Sequence, residues 1–400
     1  MSRSSPAALL LAAACSSSSQ PAAPDAPSTL ANASDVPLDG LSAADVAAFQ
    51  DGDALFGLPF REPDGLGPLY VRTACGACHA EGARGPGLVQ KMAVLAADGV
   101  SAGSDQSELA FGHTIREGLA AGATTPITAP DDPHVRTSVR LGPPVLGRGY
   151  VEAIAESELQ RVESEQAART DGIHGRRAQV VYASQPNPDT SFHDYQPGEL
   201  VTGRFGVKAR VAVLDDFTAD ALQGDMGLTT PMRPTELPNP DGLTDDRHPG
   251  IDLDQAHVDR IAFYVRRIAI PHRDLPSGGA ELFAQTGCAT CHVPALHTRA
   301  DYPIAQLADI DAPVYTDLLL HDMGDALADG MTDGGATSTE WRTAPLIGMR
   351  FARSYLHDGR AHTISDAIAA HAGQGTAAAA AFAALSPADR DLLVAFVTAL

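Results

Sequence analysis

The chain is poor in cysteine, with five in 400 residues. It is equally short of aromatics, at 5% with a single tryptophan, and of positive charge, with 28 Lys and Arg against 50 Asp and Glu. Each scarcity excludes something. Five cysteines in a chain this long cannot staple a disulfide scaffold. A formal net charge of −22 leaves no basic surface for nucleic-acid phosphates or anionic lipid, whereas a cationic redox partner would be drawn in by the field. No internal run reaches the roughly 20 apolar residues of a membrane-spanning helix. Glycine (37) and proline (29) are plentiful, which suits long ordered loops in a chain with room for two or three domains.

Four of the five cysteines stand in two copies of one pattern, "TACGACH" (73–79) and "TGCATCH" (286–292). The fifth, Cys15, follows Arg3 and the short apolar run "AALLLAAA" (7–14), the layout of an export signal with a lipoprotein-type cysteine. Residues 1–15 are therefore expected to direct export, and a lipid on Cys15 to be the sole membrane contact. Residues 16–40 open with a Ser- and Pro-rich stretch and read as a flexible tether. The expected location is the periplasm or cell envelope of a bacterium.

More than the cysteines repeats. "DGDALFGLP" (51–59) and "GGAELFAQTG" (278–287) each precede a C-x-x-C-H unit with a helix pattern, Leu55 and Phe56 matching Leu282 and Phe283. Each half closes on an amphipathic helix. In "LSPADRDLLVAFVTAL" (385–400), Ser386 suits the N-cap, Pro387 the first turn, and Leu392, Leu393, Phe396, Val397 and Leu400 one apolar face. Its counterpart is 252–271, with Ile261, Phe263, Tyr264, Val265 and Ile268 on the face and Pro271 after it. A third echo relates 206–222 to 357–373. The economical reading is two related units, 41–274 and 275–400, the first enlarged by an insertion over about 80–200 that carries a polar helix (152–170). Strand signals are few, "AQVVYA" (178–183) being the clearest, so the expected fold is mainly α.

C-x-x-C-H is the attachment pattern of a c-type haem. Two thiols bond the two vinyl groups on one porphyrin edge, and the histidine that follows becomes an iron ligand. Cys75 and Cys78 with His79, and Cys288 and Cys291 with His292, are thus the candidate anchors and proximal ligands of two haems. Four cysteines could alternatively build one zinc site, though that leaves the paired histidines unexplained. A redox dithiol would want a βαβ setting, and none is legible. No motif speaks for or against calcium.

The segments "GLGPLYVRTACGACHAEGARG" (65–85), "RTSVRLGPPVLGRGYVEAI" (136–154), "GRFGVKA" (203–209), "GDMGLTTP" (224–231), "YTDLLLHDMG" (315–324), "EWRTAPLIG" (340–348) and "YLHDGRAHTISDAI" (355–368) resemble the bacterial di-haem oxidoreductase family. Its members are identified as di-haem peroxidases or thiol oxidoreductases. The family is similar in turn to di-haem cytochrome c peroxidases, which share two cytochrome-c-like domains and a "T-P-L-R-N…F-H-D-G" pattern. The resemblance implies two cytochrome-c-like haem domains with long loops, and covers the chain from about residue 50 onward.

It also suggests where the second iron ligands lie. In those peroxidases a methionine binds the electron-accepting haem, at a place where this chain has His371; Met323 and Met349 are the alternatives. A histidine there would lower the reduction potential. For the N-terminal haem, the internal echo points to Met226, His113 is a second candidate, and an open site is a third. An open site would be the one that meets substrate. Acid–base help for peroxide would come from Asp215 or Asp216, although "GVKAR" replaces the relatives' "W-D-G-R-A". His357, with Asp358 and Arg360, would anchor a propionate or its loop. Trp341 invites an electron-bridge role or a place in the core, and its neighbour Arg342 could hold a propionate. The expected function is that of an exported redox enzyme, peroxidase-like, one haem relaying electrons to the other. The donor would be a small redox protein or quinol-linked cytochrome, and the acceptor peroxide or another small oxidant. A plain di-haem electron carrier is the alternative. Thiol oxidation rests on the family label, since no spare cysteines exist for a dithiol relay.

Overall fold

A computed structural model describes residues 35–80, 87–243 and 249–400. The export signal, Cys15 and the tether up to residue 34 lie outside the described residues.

Two crossed helix pairs organise the chain. Helix α1 (Ala43–Gly57) is capped by the Ser42 hydroxyl, which accepts the Asp45 N–H. It packs against a helix at Gln255–Arg267, capped by Asp254. In the second pair, Gly279–Gln285 packs on Pro387–Ala399, which starts on the Ser386 cap with Pro387 in its first turn. A glycine sits at each crossing. A Cβ on Gly52 would lie 2.6 Å from the Arg260 carbonyl oxygen and from Tyr264 Cβ; one on Gly279 would lie 2.6 Å from Phe396 Cβ. Four residues on, Phe56 and Phe283 meet the same partners, with centroids 5.3 Å from Tyr264 and 5.5 Å from Phe396.

Numbered along the chain, the other helices are α2 (Arg148–Ala153), α3 (Glu156–Ala167), α4 (Leu214–Met226), α7 (Ile364–Ala369) and α8 (Thr376–Ala384); the pairs above are α1 with α5 and α6 with α9. The third echo is carried by the backbone. Isolated bridges Phe205–Val211 and Tyr355–Ala361 stand 150 residues apart. Left-handed residues recur in the same register, Gly206 with Leu356 and Ala209 with Gly359. Helices α4 and α7 then start one residue after Val213 and Thr363. The register differs by one from that read in the sequence, so counting on from the shared helix start pairs His371 with Ala221, although α7 ends at Ala369 and α4 runs on to Met226.

The expectation of a mainly α fold does not hold. The structure is 33% helical and 15% strand, the strands forming small antiparallel sheets. The longest ladder pairs β2 (Leu88–Val94) with β4 (Val135–Leu141), inside the expected insertion. Shorter ladders join β1 (Leu69–Tyr70) to β3 (Gly118–Leu119), β5 (Ala178–Val181) to β6 (Leu200–Gly203), β7 (Leu296–His297) to β8 (Asp311–Ala312), and β9 (Leu320–Asp322) to β10 (Glu340–Arg342). Most are two to four residues long. Strands that short lack an alternating run, and β2 buries Met92 and Ala93 in succession, so the period-2 signal never develops.

The largest core joins residues from both sides of position 274, including Phe56, Val151, Leu222 and Ile261 with Leu296, Val314, Leu319 and Ile347. A second gathers β5 and β6 with Leu320 and Ala336. A third, between α6 and α9, holds Phe283, Tyr315, Leu393 and Phe396. Among the described residues no helix is long and apolar enough to cross a membrane.

Candidate functional site

Each C-x-x-C-H motif forms a single 3-10 turn, Cys75–Ala77 and Cys288–Thr290. The His79 N–H bonds the Cys75 carbonyl at 2.9 Å and the His292 N–H the Cys288 carbonyl at 3.0 Å. The two turns are thus alike in hydrogen bonding.

Their histidines are held alike too. His79 Nδ1 lies 2.7 Å from the Pro143 carbonyl oxygen and His292 Nδ1 3.1 Å from that of Tyr315. A carbonyl only accepts, so Nδ1 carries the proton in both rings and Nε2 keeps its lone pair for a metal. Burial pushes both imidazoles down to about 4, His371 adding to the effect at His292. Both are therefore neutral, the form that ligates. The Phe56 and Phe283 rings back them at 6.3 and 6.4 Å.

Beside His79 lies a narrow cleft of about 70 Å³. Phe56, Cys75, Pro143, Pro144, Val145, Arg148, Ile261 and Val265 supply part of its wall. One face of α4 (Leu214, Phe217, Thr218 and Ala221) supplies more, with Phe205, Gly206 and Arg342. The wall is apolar apart from two guanidiniums and the Thr218 hydroxyl, which donates to the Leu214 carbonyl. Arg148 donates to the Pro144 carbonyl, and Arg342 to those of Gly206 and Thr343.

At the second motif, the His371 ring centroid lies 6.5 Å from that of His292. That gap takes one metal ion between two imidazoles at bonds of about 2 Å each. His371 Nδ1 donates to the Ala367 carbonyl, which again leaves Nε2 free. Met323 lies close by: a Cβ on Gly375 would touch both Met323 Cε and His371 Cβ. Met349 packs against the third core, as Cys288 does.

The other candidates fall elsewhere. Met226 is buried in the main core and does not line the cleft. His113 is exposed in a turn, its Nδ1 on the Met92 carbonyl. Asp215 and Asp216 start α4 but do not face the cleft. Asp215 holds His193 at 2.9 Å and Asn187 at 2.6 Å, and Asp216 holds Ser184 at 2.5 Å and Arg233 at 3.0 Å. Burial alone would raise Asp215, but His193 and Arg266 hold it far below the usual carboxylate range.

Trp341 is buried, its indole N–H on the Leu327 carbonyl. It is layered between the His357 ring, at 3.7 Å and 11°, and the Lys208 ammonium, at 3.9 Å from its centroid. Strand β10 thereby connects the two sites: Arg342 lines the cleft, and Trp341 faces His321 of β9 across the ladder, which lies beside Cys291. Arg360 is bound to Asp358 and to the Ala326 carbonyl.

Sequence reasoning missed Asp317 and His321. His321 Nε2 lies 2.9 Å from Asp317 and Nδ1 3.8 Å from Cys291 Sγ. The signal was available, since the two stand at i and i+4 in "YTDLLLHDMG". Part of the expected insertion covers this second motif. Gln166, at the end of α3, donates to the Thr290 carbonyl and to Asp317, and Gly175 lies against the His321 ring.

The rival readings of the cysteines fit less well. The four do not converge: among the described residues, the one group of three or more metal-type side chains is Cys291, Asp317 and His321. Burial, then Asp225, pushes the Cys75 thiol up to about 12, the opposite of a reactive dithiol. Buried neutral imidazoles with free Nε2, an apolar cleft and arginines at its wall do suit a haem.

Two motifs of this geometry in one chain make the layout of a protein with two haem-type centres. The chain belongs to the di-haem oxidoreductase family: the family model described as "Di-haem oxidoreductase, putative peroxidase" matches residues 128–400. The protein is accordingly a redox enzyme by family, and the matched span includes the second motif but not the first. No curated protein matches the chain. Among solved structures it aligns with Kuenenia stuttgartiensis hydrazine synthase pressurised with 20 bar xenon, at 12% identity and a TM-score of 0.39, over 99% of this chain and 100% of that one. A likeness so distant carries no argument.

Proposed function

We propose that the protein is an exported di-haem c-type redox enzyme in which the C-terminal haem relays electrons to an N-terminal haem with an open axial position. Cys75 and Cys78 would anchor the first haem, with His79 as its ligand. Cys288 and Cys291 would anchor the second, between His292 and His371. A haem supplies an iron that changes valence and, where a position is open, takes a small oxidant such as peroxide. The carrying observation is Ala221, which the 150-residue offset pairs with His371 and which lines the cleft beside His79 without offering a ligand atom. Phe205, Phe217 and Ala221 keep that place apolar, the Pro143 carbonyl holds the His79 tautomer, and Arg148 and Arg342 are positioned for propionates. Electrons would come from a small, preferably cationic, redox protein or quinol-linked cytochrome.

A plain electron carrier is the second reading, because among the described residues no carboxylate and no second imidazole lines the cleft, and peroxide cleavage needs an acid–base group. Ligand binding and turnover separate the two. The expected result is two haems per chain by pyridine haemochrome assay, one carbon monoxide bound per reduced chain, and rapid oxidation of reduced protein by peroxide. A221H should abolish carbon monoxide binding, and H371A should raise it to two. Wild-type protein with two six-coordinate haems that ignore both carbon monoxide and peroxide would leave the carrier.

A further inference from the structure

His321 is 2% exposed and Asp317 fully buried, and the mechanism above uses neither. Both ring nitrogens of His321 face oxygen acceptors. Nε2 lies 2.9 Å from Asp317 Oδ2, and Nδ1 lies 2.8 Å from Gln374 Oε1. The amide orientation of Gln374 is set independently, because the same Oε1 accepts the His174 backbone N–H at 3.1 Å. An imidazole between two acceptors satisfies both only with a proton on each nitrogen. His321 is therefore an imidazolium, with its Nδ1 end 3.8 Å from Cys291 Sγ.

The surroundings hold this charge in place. Asp317 sits at the other ring nitrogen, and its own charge is spread further over the Gln166 amide, at 2.7 Å, and the Leu319 N–H, at 2.9 Å. A strap from Gln166 to Gly175 closes over the ring. Only glycine permits that approach, since a Cβ on Gly175 would lie 2.7 Å from Cε1 and Nε2 of His321. Water is kept out, so the local dielectric is low and the charge acts at full reach.

We propose that His321 is a positioning residue that sets the reduction potential of the C-terminal haem, its fixed cation at the attachment edge favouring the ferrous state. This rests on the reading above that Cys291 anchors that haem. Reduction removes one positive charge from the iron, so a nearby cation stabilises the reduced form. Two imidazole ligands hold a haem at low potential, and the cation offsets that. One unit charge at the haem edge, at an effective dielectric of about 20, shifts a one-electron equilibrium by roughly tenfold.

The test is spectroelectrochemical titration of the full haem-loaded chain, with the C-terminal haem followed by its low-spin bis-imidazole signal. H321Q, which leaves the carboxylate uncompensated, should lower the ferrous-to-ferric ratio at fixed poise about tenfold, equal to 59 mV for one electron. D317N should raise it. Q374E, at a partly exposed position, should lower it and serves if H321Q does not accumulate. A purely structural role predicts no such reversal of sign. An unmoved C-terminal couple in H321Q or Q374E, or a shift of D317N in the same direction as H321Q, overturns the proposal. Haem counting keeps the failures apart: wild type lacking a second haem or its bis-imidazole signal refutes the functional reading, whereas two intact haems with unmoved potentials refute this inference alone.

Discussion

Replacing Gly52 by alanine should loosen the helix pair that backs His79. The new Cβ would stand 2.6 Å from the Arg260 carbonyl oxygen and from Tyr264 Cβ, where carbon contacts prefer about 3.5–4.0 Å. Neither neighbour is the free end of a side chain, so α1 must move away from α5 by about 1 Å. Overpacking of this kind costs about 1–3 kcal/mol, and the better helix propensity of alanine returns up to about 1 kcal/mol. The expected net loss is about 1–2 kcal/mol. Gly224 is the control. It too is helical, in α4, but a Cβ there meets nothing within 4 Å, so G224A should gain about 0.5–1 kcal/mol. Urea unfolding of both variants with unchanged m-values measures the contrast. If G52A is as stable as wild type, or moves with G224A, the close crossing inferred for α1 and α5 is wrong, and with it the support it gives Phe56 against His79.

Lys208 should give stability a pH dependence. Burial pulls its pKa down to about 8, against the pull of Asp329. Between that value and the ordinary 10.5 the unfolded chain holds more protons, so stability rises with pH across the window, by up to about 3 kcal/mol. K208M should lose that slope in denaturation at pH 8 and pH 10. It should also be about 1–3 kcal/mol less stable at pH 8, because the Thr337, Ser338 and Glu340 carbonyls lose their donor, while Asp329 keeps Arg140 at 3.1 Å. D215N breaks the buried pair with His193 and should cost about 3–5 kcal/mol of stability while leaving both haem spectra unchanged; altered carbon monoxide binding in soluble D215N would return Asp215 to the reaction.

How much of this was legible in the sequence depended on how local each signal is. The Ser386 cap, the apolar faces of α5 and α9, and the phenylalanine ahead of each motif are written within one or two helical turns, and the structure bears them out. The pairing of His371 with His292 came through resemblance, and the geometry brings the two rings together. Asp215 and Asp216 were misleading because acids are favoured in the first turn of a helix whatever they bind; their partners, Ser184, Asn187 and His193, lie 22 to 32 residues back on a loop without pattern. The strands escaped for a similar reason, as two- to four-residue ladders are settled by tertiary pairing. Met226 was drawn in by an echo whose register needed the backbone to define it.

The strap over His321 also bears on how the molecule is made. Its partners are remote: Gln166 bonds Asp317 across 151 residues, and His174 bonds Gln374 across 200. Contacts so distant along the chain form late and slowly. The strap leaves the ribosome long before anything it can close upon exists, and it stays open until residue 374 arrives. The surroundings of the second motif are thus complete only once residues from both halves are present. A chain ending shortly after "TGCATCH" would contain the whole second motif and the strap itself, and still lack Asp317, His321 and Gln374, on which the strap closes, together with His371.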